Sequence, residues 1–350
     1  MARAPLTGEV ARLWGEIVAA PDDDGVRAVL ADLLMADGDP RGELVSLQLL
    51  PAEDAAALER QQRIQALLRD HAGRWLGPLR SIAVAARFER GFLGALELDV
   101  KWPADSPRWE RPVANRTLLT VTELPQPGYA YPYTLSGEER GAVYARFVTS
   151  PAMAALRRIE VFDRGSVEAF ETCAAPLTHV SCVLRPSYEA DGGLIAMRVL
   201  PECARRDTIT SLAVHGDVFP LLQARRWFER LTTITVACEA RRGLALWPRI
   251  PTQATLVVVS SPGIEPCFVA FPWDFRIELT REANAVIARI AGEWVLQPLH
   301  ALAALPREVS RIEIEHTSAL MARRVSEAVA RPGIEIVVRA PRRAGNLRWT

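Results

Sequence analysis

LRRIEVF (residues 156–162), LTHVSCVL (177–184), ITSLAVHG (209–216), LTTITVAC (231–238) and VSRIEIEH (309–316) repeat one short phrase: an apolar residue, two variable ones, then apolar-x-apolar. Alternation with a period of two is the pattern of a half-buried strand, in which one side chain points inward and the next outward. Looser copies occur as ATLVVV, FRIEL and GIEIVV. The central apolar residues of the eight phrases are Ile159, Val180, Leu212, Ile234, Leu256, Ile277, Ile312 and Ile334, at intervals of 21, 32, 22, 22, 21, 35 and 22 residues. Most of these intervals are shorter than the roughly 30 residues of an ordinary strand-helix-strand crossover. They fit stacked repeats in which each unit contacts only its neighbours. Between the strands, stretches such as 166–175 and 218–230 carry helical apolar spacing. The expected architecture is therefore an α/β solenoid, a parallel strand array with helices or turns returning between strands. LGALELDV, centred on Leu96, and RTLLTVTE, centred on Leu119, are expected to begin it.

The first eighty residues follow a different period. Val10, Leu13, Trp14, Ile17 and Val18 are spaced as one helix face, and Val26, Val29, Leu30, Leu33 and Leu34 repeat that spacing after Pro21-Asp22-Asp23-Asp24-Gly25. Ala36-Asp37-Gly38-Asp39-Pro40 stops the second helix, Arg41-Gly42-Glu43 opens a third, and a fourth is expected from about 52 to 72. The expected organisation is an all-helical domain over 1–86, the array over 87–340 with insertions near 124–150, 185–208 and 283–308, and a solvated basic tail over 341–350.

The run PDDDGVRAVLADLLMADGDPRGELVSLQ (21–48), with HAGRWLGPL (71–79) and FERGF (88–92), resembles the bacterial repeat-companion domain, a family found beside repeat arrays. The resemblance covers about ninety residues and implies no catalytic activity. Caps and turns explain Asp32, Asp39, Arg41 and Glu43 more simply than a metal or acid-base site does. The downstream phrase resembles leucine-rich repeats but departs from them where that family prefers Asn or Cys after the strand. Those positions are Arg164, Arg185, Asp217, Glu239, Ser261, Glu282, Thr317 and Arg339, so no asparagine ladder can form and the array is leucine-rich-repeat-like and degenerate.

In a parallel array, residues between the two inward positions form continuous outward rows. The middle row reads Glu160, Ser181, Ala213, Thr235, Val257, Glu278, Glu313 and Glu335. The row before it reads Arg158, His179, Ser211, Thr233, Thr255, Arg276 and Arg311, and the row after it includes His215, Ala237, Val259 and Thr280. A strip that is small and apolar in the middle, charged at its ends and acidic toward its C-terminal end suits a protein partner. Candidate partner-binding residues are Arg158, Glu160, His179, Ser181, Ala213, His215, Thr235, Val257, Arg276, Glu278 and Glu313.

Composition narrows the partner class. Basic and acidic residues balance at 42 each, and Lys101 is the single lysine, so no global basic field gathers nucleic acid. Residues 1–80 carry 9 Arg against 13 Asp and Glu, the remainder 33 basic against 29 acidic, an asymmetry consistent with the front module capping the array. Five cysteines without a CxxC pair read as reduced core thiols. The beginning of the sequence has no apolar signal-peptide run and no stretch approaches eighteen apolar residues, so the expected location is the cytoplasm, without a membrane partner. Nucleotide-binding, zinc-protease and hydrolase motifs are absent from the sequence, and of the five histidines only His179 and His215 could be strand neighbours. No catalytic residue, cofactor or metal is expected. The expected role is a non-catalytic adaptor or regulator that binds another protein, one form being an inhibitor or immunity-type protein covering an enzyme. The alternative is an enzyme or small-ligand receptor built on the Asp-rich front module or the Pro- and Tyr-rich segment 125–136.

Overall fold

The computed structural model describes residues 8–50, 57–125, 136–161, 164–182, 206–215, 219, 226–260, 275–282, 285–291, 302–315, 319–329, 331–339 and 345–348. Most of the Pro-Tyr segment, the stretch around Glu189 to Gly193, Cys203, Cys267, His300 and His316 lie outside them. Chain packing separates two compact units: one comprises Met1–Arg157, Thr172–Pro176 and Arg343–Thr350, the other Arg158–Glu171 and Leu177–Arg342.

In the first unit, α1 spans Gly8–Ala19 and buries Val10, Leu13 and Ile17 along one face. Helix α2, Asp24–Ala36, begins where the Asp23 carboxylate accepts from the Gly25 and Val26 amides. Helix α3, Pro40–Leu49, begins in the same way, with Asp39 accepting from the Arg41 amide and Pro40 fixing the first turn. Helix α4 spans Ala57–Leu76. The face buried by α2 differs from the apolar spacing at two positions, since Val29 is half-exposed and Arg27 is buried. Arg27 reverses the expectation because its guanidinium lies 5.7 Å from the Phe92 ring centroid and donates to the Asp23 carbonyl, so its stem packs while its head is partnered.

The companion-like motif residues are accounted for by packing. Arg41, 5% exposed, places its guanidinium 5.4, 5.5 and 5.8 Å from the ring centres of Trp75, Trp14 and Phe92. Gly42 sits where α2 and α3 touch, and a Cβ there would lie 2.5 Å from the Ala31 carbonyl oxygen. Glu43 receives a two-pronged ion pair from Arg63 at 2.5 and 2.6 Å. The FERGF segment is the turn of a hairpin between β1, Ala83–Glu89, and β2, Phe92–Leu98, in which Arg90 and Gly91 both have positive φ. Gln48 on α3 clamps that turn: its amide donates to the Phe88 carbonyl at 2.9 Å, and its carbonyl oxygen accepts from the Gly91 amide at 2.6 Å.

Two expectations for this unit change. Residues Arg116–Thr120 form a 3-10 turn started by the Asn115 side chain accepting from the Thr117 amide, and the strand follows at β3, Glu123–Leu124, parallel to β2. The basic tail is not a free terminus, because Gly345–Arg348 pairs antiparallel with β1, setting Asn346 opposite Arg87 and Leu347 opposite Ala86. The chain on both sides of residue 86 thus belongs to one compact unit.

The second unit is a sheet whose strands follow chain order: β4 Arg158–Glu160, β5 His179–Cys182, β6 Ser211–His215, β7 Thr233–Ala237, β8 Thr255–Ser260, β9 Phe275–Glu282, β10 Ala285–Ala291, β11 Val309–Glu315 and β12 Glu335–Arg339. Strands β4 through β8 are mutually parallel, as are β10 through β12. The inward row Ile159, Val180, Leu212, Ile234, Leu256, Leu279, Ala288 and Ile312 is fully buried. Against this face the short helix Ala240–Leu244 comes so close that a Cβ on Gly243 would lie 2.5 Å from Val258 Cγ1. The unit is thus α/β with a mostly parallel sheet.

Parallelism fails at one place. Strand β9 runs antiparallel to both β8 and β10. Two residues, Ala283 and Asn284, separate β9 from β10, and the expected insertion over 283–308 thus begins with a strand of the sheet. At the far end the register runs two residues later than the repeat count: Ile336, not Ile334, lies opposite Ile312.

A threonine ladder holds the entry side of the parallel strands. Thr210 Oγ1 donates to the Thr178 carbonyl at 3.4 Å and Thr232 Oγ1 to the Thr210 carbonyl at 3.1 Å. The next rung is Gln253, whose amide donates to the Glu229 and Leu231 carbonyls. These side chains tie each strand segment to the one before it, at the entry end of the strands.

Candidate protein-binding face

Register determines which side chains share the polar face. Its middle row reads Glu160, Ser181, Ala213, Thr235, Val257, Glu278, Arg289, Glu313 and Val337 across nine strands. The repeat spacing assigns all of these to the row except Arg289 and Val337. Arg289 enters because β10 is a strand, and Val337 replaces Glu335 because of the two-residue register difference. Reversing β9 leaves Glu278 in its row and exchanges its neighbours: Arg276 lies opposite Val259, and the Thr280 hydroxyl is 3.3 Å from that of Thr255.

The middle row is not accessible as expected. Glu160, Ser181, Ala213, Thr235, Val257 and Glu313 are each between 1% and 9% exposed. Short side chains on adjacent strands, spaced about 4.8 Å apart, leave little room for solvent between them. Ala213 and Ala237 form a small apolar cluster of their own on this face. Accessibility lies in the flanking rows: Ser211, Thr233 and Thr255 are half-buried, as is Val259, and Arg158 and Arg276 are exposed. The face therefore presents a strip of short hydroxyl side chains beside a closed seam.

At the β4 end, Arg158, Glu160, His179, Ser181 and Ser211 converge. His179 Nδ1 lies 3.5 Å from Arg158 Nη2 and is hydrogen-bonded to Ser211 Oγ. A guanidinium can only donate, so the approach of Arg158 favours Nδ1 as the acceptor and the Ser211 hydroxyl as its donor. His215 is not a neighbour of His179. Ser211 is the residue opposite His179, which leaves His215 four positions, or about 13 Å, further along the sheet. The two cannot share a metal ion, and the His215 side chain lies outside the described residues. Among the described residues, no group of three or more His, Cys, Asp or Glu could hold one.

At the other end the expected acidic patch is neutralised. Arg289 donates from Nη1 to Glu278 at 3.1 Å and from Nε to Glu313 at 3.0 Å. Arg311 reaches Glu313 at 3.1 Å and lies 3.8 Å from Glu335, while Arg276 reaches Glu278 at 3.2 Å. Three arginines and three glutamates thus alternate across β9 to β12. Burial works against the charged form of Arg289, but hydrogen bonds and attraction from Glu313 and Glu278 outweigh it, so its pKa lies above the ordinary arginine value. Arg281, on the same hairpin, stacks 3.7 Å from the Trp247 ring centre and donates to the Trp247 and Pro251 carbonyls. The Trp247 indole in turn donates to Glu308 at 2.8 Å.

The alternative site in the Asp-rich front module has a cavity of about 170 Å³, lined by Asp22, Arg27, Glu89, Arg90, Phe92 and Thr120 among others. Its charges already answer one another, since Arg90 lies 3.3 Å from Asp24 and 3.6 Å from Asp22, and Arg87 pairs with Glu89. Asp39 caps α3 and contacts Arg74 at 3.3 Å.

No helix among the described residues is long and apolar enough to cross a membrane. No protein-family model matches this chain, and no curated protein matches it.

Proposed function

We propose that this chain is a non-catalytic adaptor or regulator that binds another protein through the polar face of its strand array. The observation that carries this reading is the hydroxyl row Ser211, Thr233 and Thr255, which lies in register beside a closed seam, runs from exposed Arg158 and buried His179 at one end to Thr280 at the other, and has exposed Arg276 across the seam beside Val259. Short hydroxyl side chains lose little conformational entropy when covered. The flanking charges can orient a partner without a buried unpaired ion. An inhibitor or immunity-type protein that covers an enzyme is one form of this role, since repeat arrays offer broad surfaces without chemistry of their own. In this reading the second unit is a degenerate leucine-rich-like solenoid and the first is a companion module of the repeat-companion type. The closed charges of the Arg-Glu network favour a neutral contact over binding to nucleic acid.

The test is a Ser211→Arg, Thr233→Arg, Thr255→Arg variant, compared with wild type for retention of the protein that co-purifies with the wild-type chain and then for affinity with that protein in isolation. Loss of binding at unchanged thermal stability supports the reading. Equal affinity removes it.

A second reading rests on one contact. The Ser211 hydroxyl hydrogen-bonded to His179 has the geometry of a serine nucleophile and its base. Arg158 donating to the same imidazole nitrogen opposes that role, because it holds the lone pair the base would use. A serine-directed fluorophosphonate that labels Ser211 would favour hydrolysis over adaptor function.

A further inference from the structure

The last strand leaves the sheet open. Strand β12 ends the strand order and, among the described residues, pairs only with β11. Val338 on it is 54% exposed, and Ile336 and Val337 are only half-buried. An edge strand with apolar side chains and unpaired backbone groups is a template for another strand. Terminal repeats of an array ordinarily carry a polar cap. Here the strand Glu335-Ile336-Val337-Val338-Arg339 lies between Pro332 and Pro341, which limits the segment that can pair.

We propose that β12 is a self-association edge, and that a second copy of this chain adds its own β12 antiparallel to it about a two-fold axis at Val337. The strand is self-complementary in that arrangement and in no other antiparallel register. Centring on Val337 sets Glu335 of one copy opposite Arg339 of the other, twice by symmetry, and Ile336 opposite Val338. By strand alternation position 339 shares the phase of Glu335 and Val337, and Ile336 and Val338 take the other, so the pairing sets positions of unlike charge in register with each other and apolar residues in register on the face that carries the sheet's core. A shift of the axis by one residue to either side breaks both pairings. The contact is isologous and closes on itself, so it yields a dimer and not a filament. Five residues of strand bury far less than the roughly 1,200–2,000 Å² of a stable complex. Reversible association in the micromolar range is the expected strength.

The test is sedimentation velocity of the full chain over a concentration series. Wild type is expected to shift from monomer to dimer with rising concentration. Glu335→Arg and Arg339→Glu each place like charges opposite one another and should weaken the dimer at least tenfold, while an equimolar mixture of the two variants should restore it, because each then meets its complement. Val338→Glu, at an exposed position, should abolish association without unfolding the chain and covers the case in which either charge variant folds poorly. A wild type that stays monomeric at every concentration overturns the proposal. So do charge variants that associate as wild type does, a mixture that remains monomeric, or an edge that accepts only a foreign strand.

Discussion

Arg289 Nε donates to Glu313 Oε2 at 3.0 Å, joining β10 to β11 across a row in which Glu313 is only 3% exposed. A carboxylate this deeply buried relies on its cations, and Arg311 supplies the other. Removing the Arg289 head by Arg289→Met should therefore destabilise the second unit by roughly 2 kcal/mol. Arg289→Lys should recover less than half of that, because a single ammonium cannot bridge Glu278 and Glu313 as the fork does. Chemical denaturation of the two variants against wild type checks both figures.

The threonine ladder makes a separable contribution. Thr210→Val and Thr232→Val keep the shape of the side chain and delete the hydroxyl that bonds to the preceding repeat. Each should cost about 1 kcal/mol, the net worth of one such hydrogen bond. The same change at Thr233, whose hydroxyl makes no hydrogen bond among the described residues, should cost much less. Equal losses at 232 and 233 would remove the ladder from the account.

Glycines at two helical positions should respond with opposite sign. Gly42→Ala puts a methyl group against the Ala31 carbonyl and Met35 backbone and should destabilise the first unit by about 2–3 kcal/mol. Gly15 on α1 has open space around it, so Gly15→Ala should stabilise by about 0.5–1 kcal/mol. Thermal unfolding of both variants measures the contrast.

The front module should also be acid-sensitive in a defined way. The Arg63 hydrogen bond holds the Glu43 carboxyl below its usual range despite partial burial. A carboxyl whose folded pKa is lowered contributes stability that is present above its unfolded pKa and is lost as pH falls through the folded one. Stability of the wild type should thus decline more steeply below about pH 4.5 than that of Glu43→Gln, with the two curves running parallel near neutrality. Urea midpoints across pH 3 to 7, roughly the window in which carboxyls titrate, give the comparison.

Much of this fold was legible because alternation and helical spacing are local. Ile159, Val180, Leu212, Ile234 and Leu256 all sit on one inward row as their spacing implies, and α2 and α3 begin at the aspartates that cap them, Asp23 and Asp39. Strand β10 was not legible: Val286, Ile287 and Ala288 are apolar in succession, which hides the alternation, and only Asn284 hints at a hairpin. Missing that strand concealed Arg289 and made Glu278 and Glu313 look like a free acidic patch. The Thr178, Thr210 and Thr232 positions, each after an apolar residue at a strand entrance, carried a signal for the ladder that strand-centred reading passes over. Accessibility was the least legible property. Whether Thr233 or Thr235 is open depends on how neighbouring rows close over each other, and period-two spacing only assigns both to the same face.

That distinction leads to the most direct measurement of the functional account. A photo-crosslinking residue placed at Thr233 in cells should capture one protein species, while the same residue at Val29, exposed on α2, should not capture it. Absence of an adduct at Thr233, or the same adducts from both positions, would contradict a binding role for the hydroxyl row.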